Sequence, residues 1–220
     1  MCGIYGITER NPDFINSYIR QCSHRGPDGN SIWYDDDISL GHNLLAITSN
    51  PDQGKQPVET RHGVLTYNGE IFNYAELIKE TDWIPTTTCD TEYLSHALGT
   101  MPHETVNDKI DSMHAYAYYN KAKKHLILSR DHAGIKPLYY AEIPQGLVFG
   151  SEIKGMINKV PNGRCIDEFA AAAMSYSGIN PTRNTLFRNI KKVMPGETMV
   201  YDVANKRFIH SYQKVITPTS

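Results

Sequence analysis

The chain has 220 residues, of which 40% are apolar and 21% charged, a balance that excludes disordered, collagen-like and coiled-coil chains. A single domain of this length can bury a core without staples. Its 22 basic and 24 acidic residues leave a net charge of −2 with no basic stripe, so no nucleic-acid footprint is expected.

The start, Met1-Cys2-Gly3-Ile4-Tyr5-Gly6-Ile7, carries no basic segment ahead of an apolar one, so no signal peptide is expected. Residues 2–8 read as a buried strand. Phe14, Tyr18 and Cys22, with Ile15 and Ile19, form a helical stripe. Strands follow near 31–34, 38–47 and 64–68. Asn73 is placed to cap a helix over 74–80, and Asp90 or Thr91 to cap one over 91–98 that ends at Gly99. More strands are expected at 113–119, 125–130, 137–143 and 146–150. The run Ala115-Tyr116-Ala117-Tyr118-Tyr119 has the small and aromatic residues of a packed strand. Lys121, Lys123 and Lys124 read as a solvated turn. Helices are expected at 152–159 and 167–176, and 197–203 with 207–212 as a closing hairpin around Ala204–Asn205. The last residues, Ile216 to Ser220, read as loose.

Closely spaced strands with few intervening helices favour an α+β fold with antiparallel pairing. No run approaches the ~20 apolar residues of a membrane span. The four cysteines, Cys2, Cys22, Cys89 and Cys165, show neither zinc nor disulfide spacing, and a reducing cytoplasm is the expected location. No histidine spacing resembles a ligand motif, so no metal and no cofactor are expected.

Three short segments carry chemistry. Methionine before a small residue is normally removed, which would leave Cys2 with a thiol and a free α-amine on one residue. Their ordinary values, about 8.5 and about 7.7–8.0, let the amine act as base for its own side chain. Gly3 and Gly6 allow close backbone approach there. Asn68-Gly69 can offer a side-chain amide and a backbone N–H to one developing negative oxygen. Asp90 can pair with a substrate ammonium. Taken singly, each has a plainer reading: a small buried cysteine, a hairpin turn, a helix cap.

The three do not stand singly. Met-Cys-Gly-Ile-x-Gly-Ile, His24-Arg25-Gly26-Pro27-Asp28, Tyr67-Asn68-Gly69-Glu70-Ile71-Phe72-Asn73-Tyr74 and Asp90-Thr91-Glu92 occur in order. Ser129-Arg130-Asp131-His132-Ala133-Gly134-Ile135-Lys136-Pro137-Leu138-Tyr139-Tyr140 and Gly150-Ser151-Glu152-Ile153-Lys154 follow. The ordered set resembles a class II glutamine amidotransferase domain, and most closely the glutaminase domain of glutamine-dependent asparagine synthetases. The resemblance implies a four-layer αββα N-terminal-nucleophile hydrolase sandwich with two antiparallel sheets. It implies that Cys2 attacks the carboxamide of glutamine, forming a γ-glutamyl thioester that water releases as glutamate. In that scheme Asn68 and Gly69 hold the oxyanion, Asp90 binds the substrate α-ammonium, Glu70 lines the pocket, and backbone groups near Ile47 and Thr48 touch the carboxylate. Arg25 sits beside the N-terminus as a structural brace. His42, which also matches, is expected to be a hydrogen-bonded structural residue.

Two departures follow. Where the family has Gly-His-x-Arg-Leu, this chain has Gly41-His42-Asn43-Leu44-Leu45, so Leu44 stands in place of an arginine that pairs with the α-carboxylate. Leucine offers no such fork. A charged hydrogen bond is worth about 1.5–3 kcal/mol, so its loss corresponds to about 10- to 200-fold in binding. Arg25 and Arg61 are candidates to replace it. Leu44 leaves two other readings open: a degenerate amidotransferase serving as a binding or regulatory module, or an amidase for substrates without a free α-carboxylate. Second, no Ser-Gly-Gly-x-Asp-Ser loop of an ATP-pyrophosphatase domain and no phosphate-cradling Gly-rich loop occurs in the 220 residues. Residues 1–220 are therefore expected to be a single amidotransferase domain. A separate ATP-dependent synthetase-like subunit is expected to receive the ammonia, and assembly as a homo-oligomer is left open.

Overall fold

The structure is a computed structural model that describes residues 1–47 and 52–214. In chain order the first elements are β1 (Gly3–Ile7), α1 (Pro12–Gln21), β2 (Gly29–Tyr34), β3 (Ser39–Leu44), β4 (Val58–Glu59) and β5 (Gly63–Ile71). Then come α2 (Tyr74–Lys79), α3 (Asp90–Thr100), α4 (His103–Lys109), β6 (Ser112–Asn120) and β7 (His125–Arg130). The chain continues with β8 (Tyr139–Ile143), β9 (Gly146–Gly150), α5 (Glu168–Ser177), β10 (Lys191–Lys192), β11 (Glu197–Asp202) and β12 (Arg207–Gln213). One six-stranded sheet has the order β10-β8-β9-β1-β3-β2 and the other β12-β11-β7-β6-β5-β4. Every recorded pairing is antiparallel.

Strand alternation sorts the side chains into layers. In β6, Ala115, Ala117 and Tyr119 join Ile4, Leu40 and Phe149 of the other sheet in a buried cluster between the sheets. Tyr116 and Tyr118 point the opposite way, into a cluster with Leu94, Ala97 and Leu98 of α3. On the outer face of the first sheet, Tyr5, Ile7 and Val148 pack under Ile15, Tyr18 and Ile19 of α1. The result is an α+β sandwich of four layers: helix, sheet, sheet, helix. No helix among the described residues is long and apolar enough to cross a membrane.

Asn11 caps α1, its Oδ1 accepting from the Phe14 N–H at 3.1 Å, with Pro12 at the first turn. The closing hairpin, β11 with β12, forms around Ala204–Asn205 as expected, and Lys121–Lys124 lie in the turn between β6 and β7.

Several expectations are corrected. Residues 152–159 are a series of turns and not a helix. Ile153, Met156 and Ile157 have helical spacing, but Gly155 lies so close to Tyr18 that an added Cβ would come within 1.8 Å of its ring. The segment hugs α1 there instead of winding on. The strand over 38–47 stops at Leu44. Asn73 sits at the start of α2, but its side chain bridges away, donating to the Lys109 carbonyl and accepting from the Asp111 N–H, both at 2.9 Å. Neither Asp90 nor Thr91 caps α3. Cys89 occupies the cap position without a side-chain capping bond, and the helix runs through Gly99 to Thr100. Helix α4 was not foreseen because only Val106 and Asn107 are buried in it, too few for an apolar stripe. Ile216 to Ser220 lie outside the described residues.

Candidate active site

The site lies where β1 and β3 of the first sheet meet β5 of the second. The register Gly3↔Asn43 sets Cys2, one residue ahead of β1, beside the end of β3. Its thiol lies against the Leu45 backbone, 3.4 Å from the N–H that donates to it and 3.6 Å from the carbonyl. Alternation along β5 puts Val64 between the sheets and Leu65 and Tyr67 beneath α3. By the same parity Asn68 faces the sheet that carries Cys2. Cys2, Asn68, Gly69, Glu70, Asp90 and Ile47 all line one cleft.

Asn68 is 2% exposed, and its Nδ2 has no hydrogen-bond partner among the described residues. A buried amide donor left unpaired costs about 1–3 kcal/mol. A ligand oxygen at this spot would remove that cost. Gly69 has no room for a side chain: a Cβ would sit 2.4 Å from the Met113 carbonyl oxygen and 2.6 Å from the Tyr67 ring. Gly69 itself lines the cleft beside Asn68.

Asp90 is held from below. Its Oδ2 accepts from the Ile71 N–H at 2.9 Å and from the Tyr67 hydroxyl at 3.0 Å. Burial raises its carboxyl above the ordinary value, while these two bonds pull it back down. Tyr67 is in turn fixed through its N–H, which donates to Gln56 Oε1 at 2.6 Å. Tyr67 heads a recognised motif, but neither its bond to Asp90 nor the part of Gln56 is visible in residue spacing. Glu70 is half-buried at the cleft wall, and Ile47 is 77% exposed at its rim. Thr48 lies outside the described residues.

The His24–Asp28 segment supports the N-terminus. Arg25 Nε donates to the Cys2 carbonyl at 3.0 Å, and Arg25 and His24 both meet Glu152, at 3.4 and 2.6 Å. Burial works against ionisation of Glu152, but the hydrogen bonds from His24 and Arg25 prevail and hold its carboxyl low. Asp28 Oδ2 accepts from the Ala46 N–H at 2.8 Å and so fixes the chain beyond Leu45. His42 is fully buried, and burial pushes its ring down to about 3 despite a bond to the Tyr67 backbone. It is neutral at any ordinary pH.

Burial also raises the Cys2 thiol, opposed by the Leu45 N–H and by the charges of Lys136 and Arg25. With Met1 in place the Cys2 nitrogen is an amide. The free amine on Met1 is lowered by burial and by the nearby Arg25 and Lys136. Leu44 is buried at the cleft wall. Neither Arg25 nor Arg61 lines the cleft: Arg25 is engaged as above, and Arg61 Nε faces His62 in the β4–β5 turn. The cation that does line it is Lys136, which sequence reasoning passed over inside a longer motif. No cluster of His, Cys, Asp and Glu suited to a metal occurs among the described residues.

Residues 1–213 match the family model described as a glutamine amidotransferase domain. Among curated relatives, asparagine synthetase 1 (glutamine-hydrolysing) of Bacillus subtilis is 32% identical over 89% of this chain and 33% of its own length. Asparagine synthetase B (glutamine-hydrolysing) of Escherichia coli is 30% identical over 86% of this chain and 35% of its own. The chain thus spans about a third of the length of these two relatives. Among solved structures, the glutamine phosphoribosylpyrophosphate amidotransferase of B. subtilis superposes with a TM-score of 0.67 at 16% identity. It covers 96% of this chain and 49% of the neighbour, a likeness of fold.

Proposed function

The chain belongs to the glutamine amidotransferase domain family, and on that premise we propose that it hydrolyses glutamine to glutamate and ammonia with Cys2 as nucleophile. The observation that carries the reading is the unpartnered Asn68 amide, buried in the cleft that Cys2 also lines.

After removal of Met1, the Cys2 amine takes the thiol proton as Sγ bonds to the carboxamide carbon. The oxygen that gains charge is received by Asn68 Nδ2 and the Gly69 N–H. Collapse breaks the C–N bond, the amine passes its proton to the leaving nitrogen, and ammonia departs from a γ-glutamyl thioester. Water attacks the thioester, gives a proton to the amine, and glutamate leaves as the thiol is restored. Burial and the charges of Arg25 and Lys136, which lower the Met1 amine, would act on the Cys2 amine in the same sense. That favours the unprotonated form that a base requires. Asp90 is assigned to the substrate ammonium, and Glu70 to the same end of the pocket. The backbone near Ile47 and Thr48 is assigned to the carboxylate, and Arg25 to bracing Cys2 through its carbonyl.

The relatives are named as asparagine synthetases. The ammonia is accordingly assigned to a synthetase-like, ATP-dependent partner on a separate subunit, with residues 1–220 as one amidotransferase domain. Four free cysteines fit a cytoplasmic location.

The test compares the chain freed of Met1 with one carrying an N-terminal extension. The processed chain should release glutamate and ammonia in equal amounts. The extended chain, with an amide in place of the amine, should be at background. Equal rates from the two would overturn the role of the amine.

A further inference from the structure

We propose that Lys136 receives the α-carboxylate of the substrate, in the role that Leu44 leaves vacant. The inference rests on the glutaminase reading for the identity of the substrate, but on the cleft itself for the chemistry.

Lys136 is 7% exposed and lines the cleft together with Cys2, Asn68, Glu70 and Asp90. Its ammonium has no hydrogen bond or ion pair among the described residues, and no other lysine, arginine or histidine among them lines the cleft. Buried charges are paired in nearly all folded proteins, because an unpaired one forfeits its hydration without return. An ammonium left so at a ligand cleft calls for an anion from outside. The same cleft carries the carboxylates of Glu70 and Asp90. One ammonium among carboxylates is the complement of a zwitterionic amino acid, which brings a carboxylate and an ammonium of its own.

The backbone around Lys136 is built to hold it still. Asp131, 1% exposed, accepts from the Lys136 N–H at 3.0 Å, the Ile135 N–H at 2.9 Å and the His114 N–H at 3.2 Å. Arg130 grips the other side, donating to the carbonyls of Lys136, Gly134 and Val193 at 2.7, 2.6 and 2.8 Å. The conspicuous Arg-Asp pair of the motif therefore spends four of these six hydrogen bonds on the loop that presents Lys136. The Cys2 thiol is a poor alternative partner. Its net shift is upward, through burial, so at neutral pH Lys136 faces a neutral sulfur.

The test measures binding of L-glutamine and L-glutamine α-amide by calorimetry to Cys2→Ala protein, with and without Lys136→Met. Lys136→Met should weaken glutamine about 10- to 200-fold, the range of a charged hydrogen bond. It should change binding of the α-amide, which has no carboxylate, by less than about 3-fold. Adding Leu44→Arg should recover most of the glutamine affinity. The melting temperature of Lys136→Met should not fall, because an unpaired buried charge has been removed; a structural role predicts a fall. Equal loss for both ligands, loss for neither, or no measurable glutamine binding to the Cys2→Ala protein overturns the proposal. The glutaminase reading fails separately. If the intact protein releases no ammonia while Lys136 still separates glutamine from its α-amide, hydrolysis is lost and the carboxylate site stands.

Discussion

Replacing Cys2 by alanine is expected to reduce ammonia release from glutamine to background, a loss of about 10⁴-fold or more, the scale seen when a nucleophile is removed. No other thiol can stand in. Cys89 also lines the cleft, but it occupies the cap position of α3, with its sulfur 3.4 Å from the Thr91 hydroxyl. Folding should be unaffected. The hydrogen bonds of the Cys2 thiol are with the Leu45 backbone, and Arg25 binds the Cys2 carbonyl, which alanine keeps. Circular dichroism and the melting temperature, measured beside the ammonia assay, check that separation. Residual activity within about 10-fold of the unaltered protein would mean that another group attacks the amide.

Replacing Asn68 by alanine is expected to lower kcat by about 10²- to 10³-fold, the range for loss of one donor to a developing oxyanion. KM for glutamine should change little, because the neutral carboxamide oxygen asks less of the donor than the charged one does. Stability should not suffer. The amide nitrogen has no partner to lose, and truncating an unsatisfied buried donor removes a cost. Steady-state kinetics with a thermal melt separates these effects. A fall in kcat below about 10-fold, or a large drop in melting temperature, would place Asn68 in the scaffold.

The strands were the most legible part of the chain. Ala115 to Tyr119 show why: alternate residues, Ala115, Ala117 and Tyr119, fill the space between the two sheets, and Tyr116 and Tyr118 reach helices on the outside. Helix α1 was legible because Ile15, Tyr18 and Ile19 repeat on one face behind a capping Asn11. Periodicity failed at 152–159, where the apolar spacing is real but Gly155 is pressed against Tyr18. It failed again at α4, which buries too little to leave a stripe.

The candidate site was legible only as an ordered set of motifs, since each of Cys2, Asn68 and Asp90 has an ordinary structural reading. What escaped was the support between distant segments. The Tyr67 hydroxyl meets Asp90 across 23 residues, and Gln56 meets the Tyr67 N–H across 11. Lys136 escaped for a different reason. Its significance lies in having no partner, and a sequence does not display that.

The most direct test of the account is the intact mass of the protein before and after exposure to a diazo-ketone analogue of glutamine. A chain lacking Met1 that gains one label, on Cys2, is expected, with excess glutamine slowing the reaction. A processed chain that stays unlabelled, or is labelled on Cys22, Cys89 or Cys165, would contradict it.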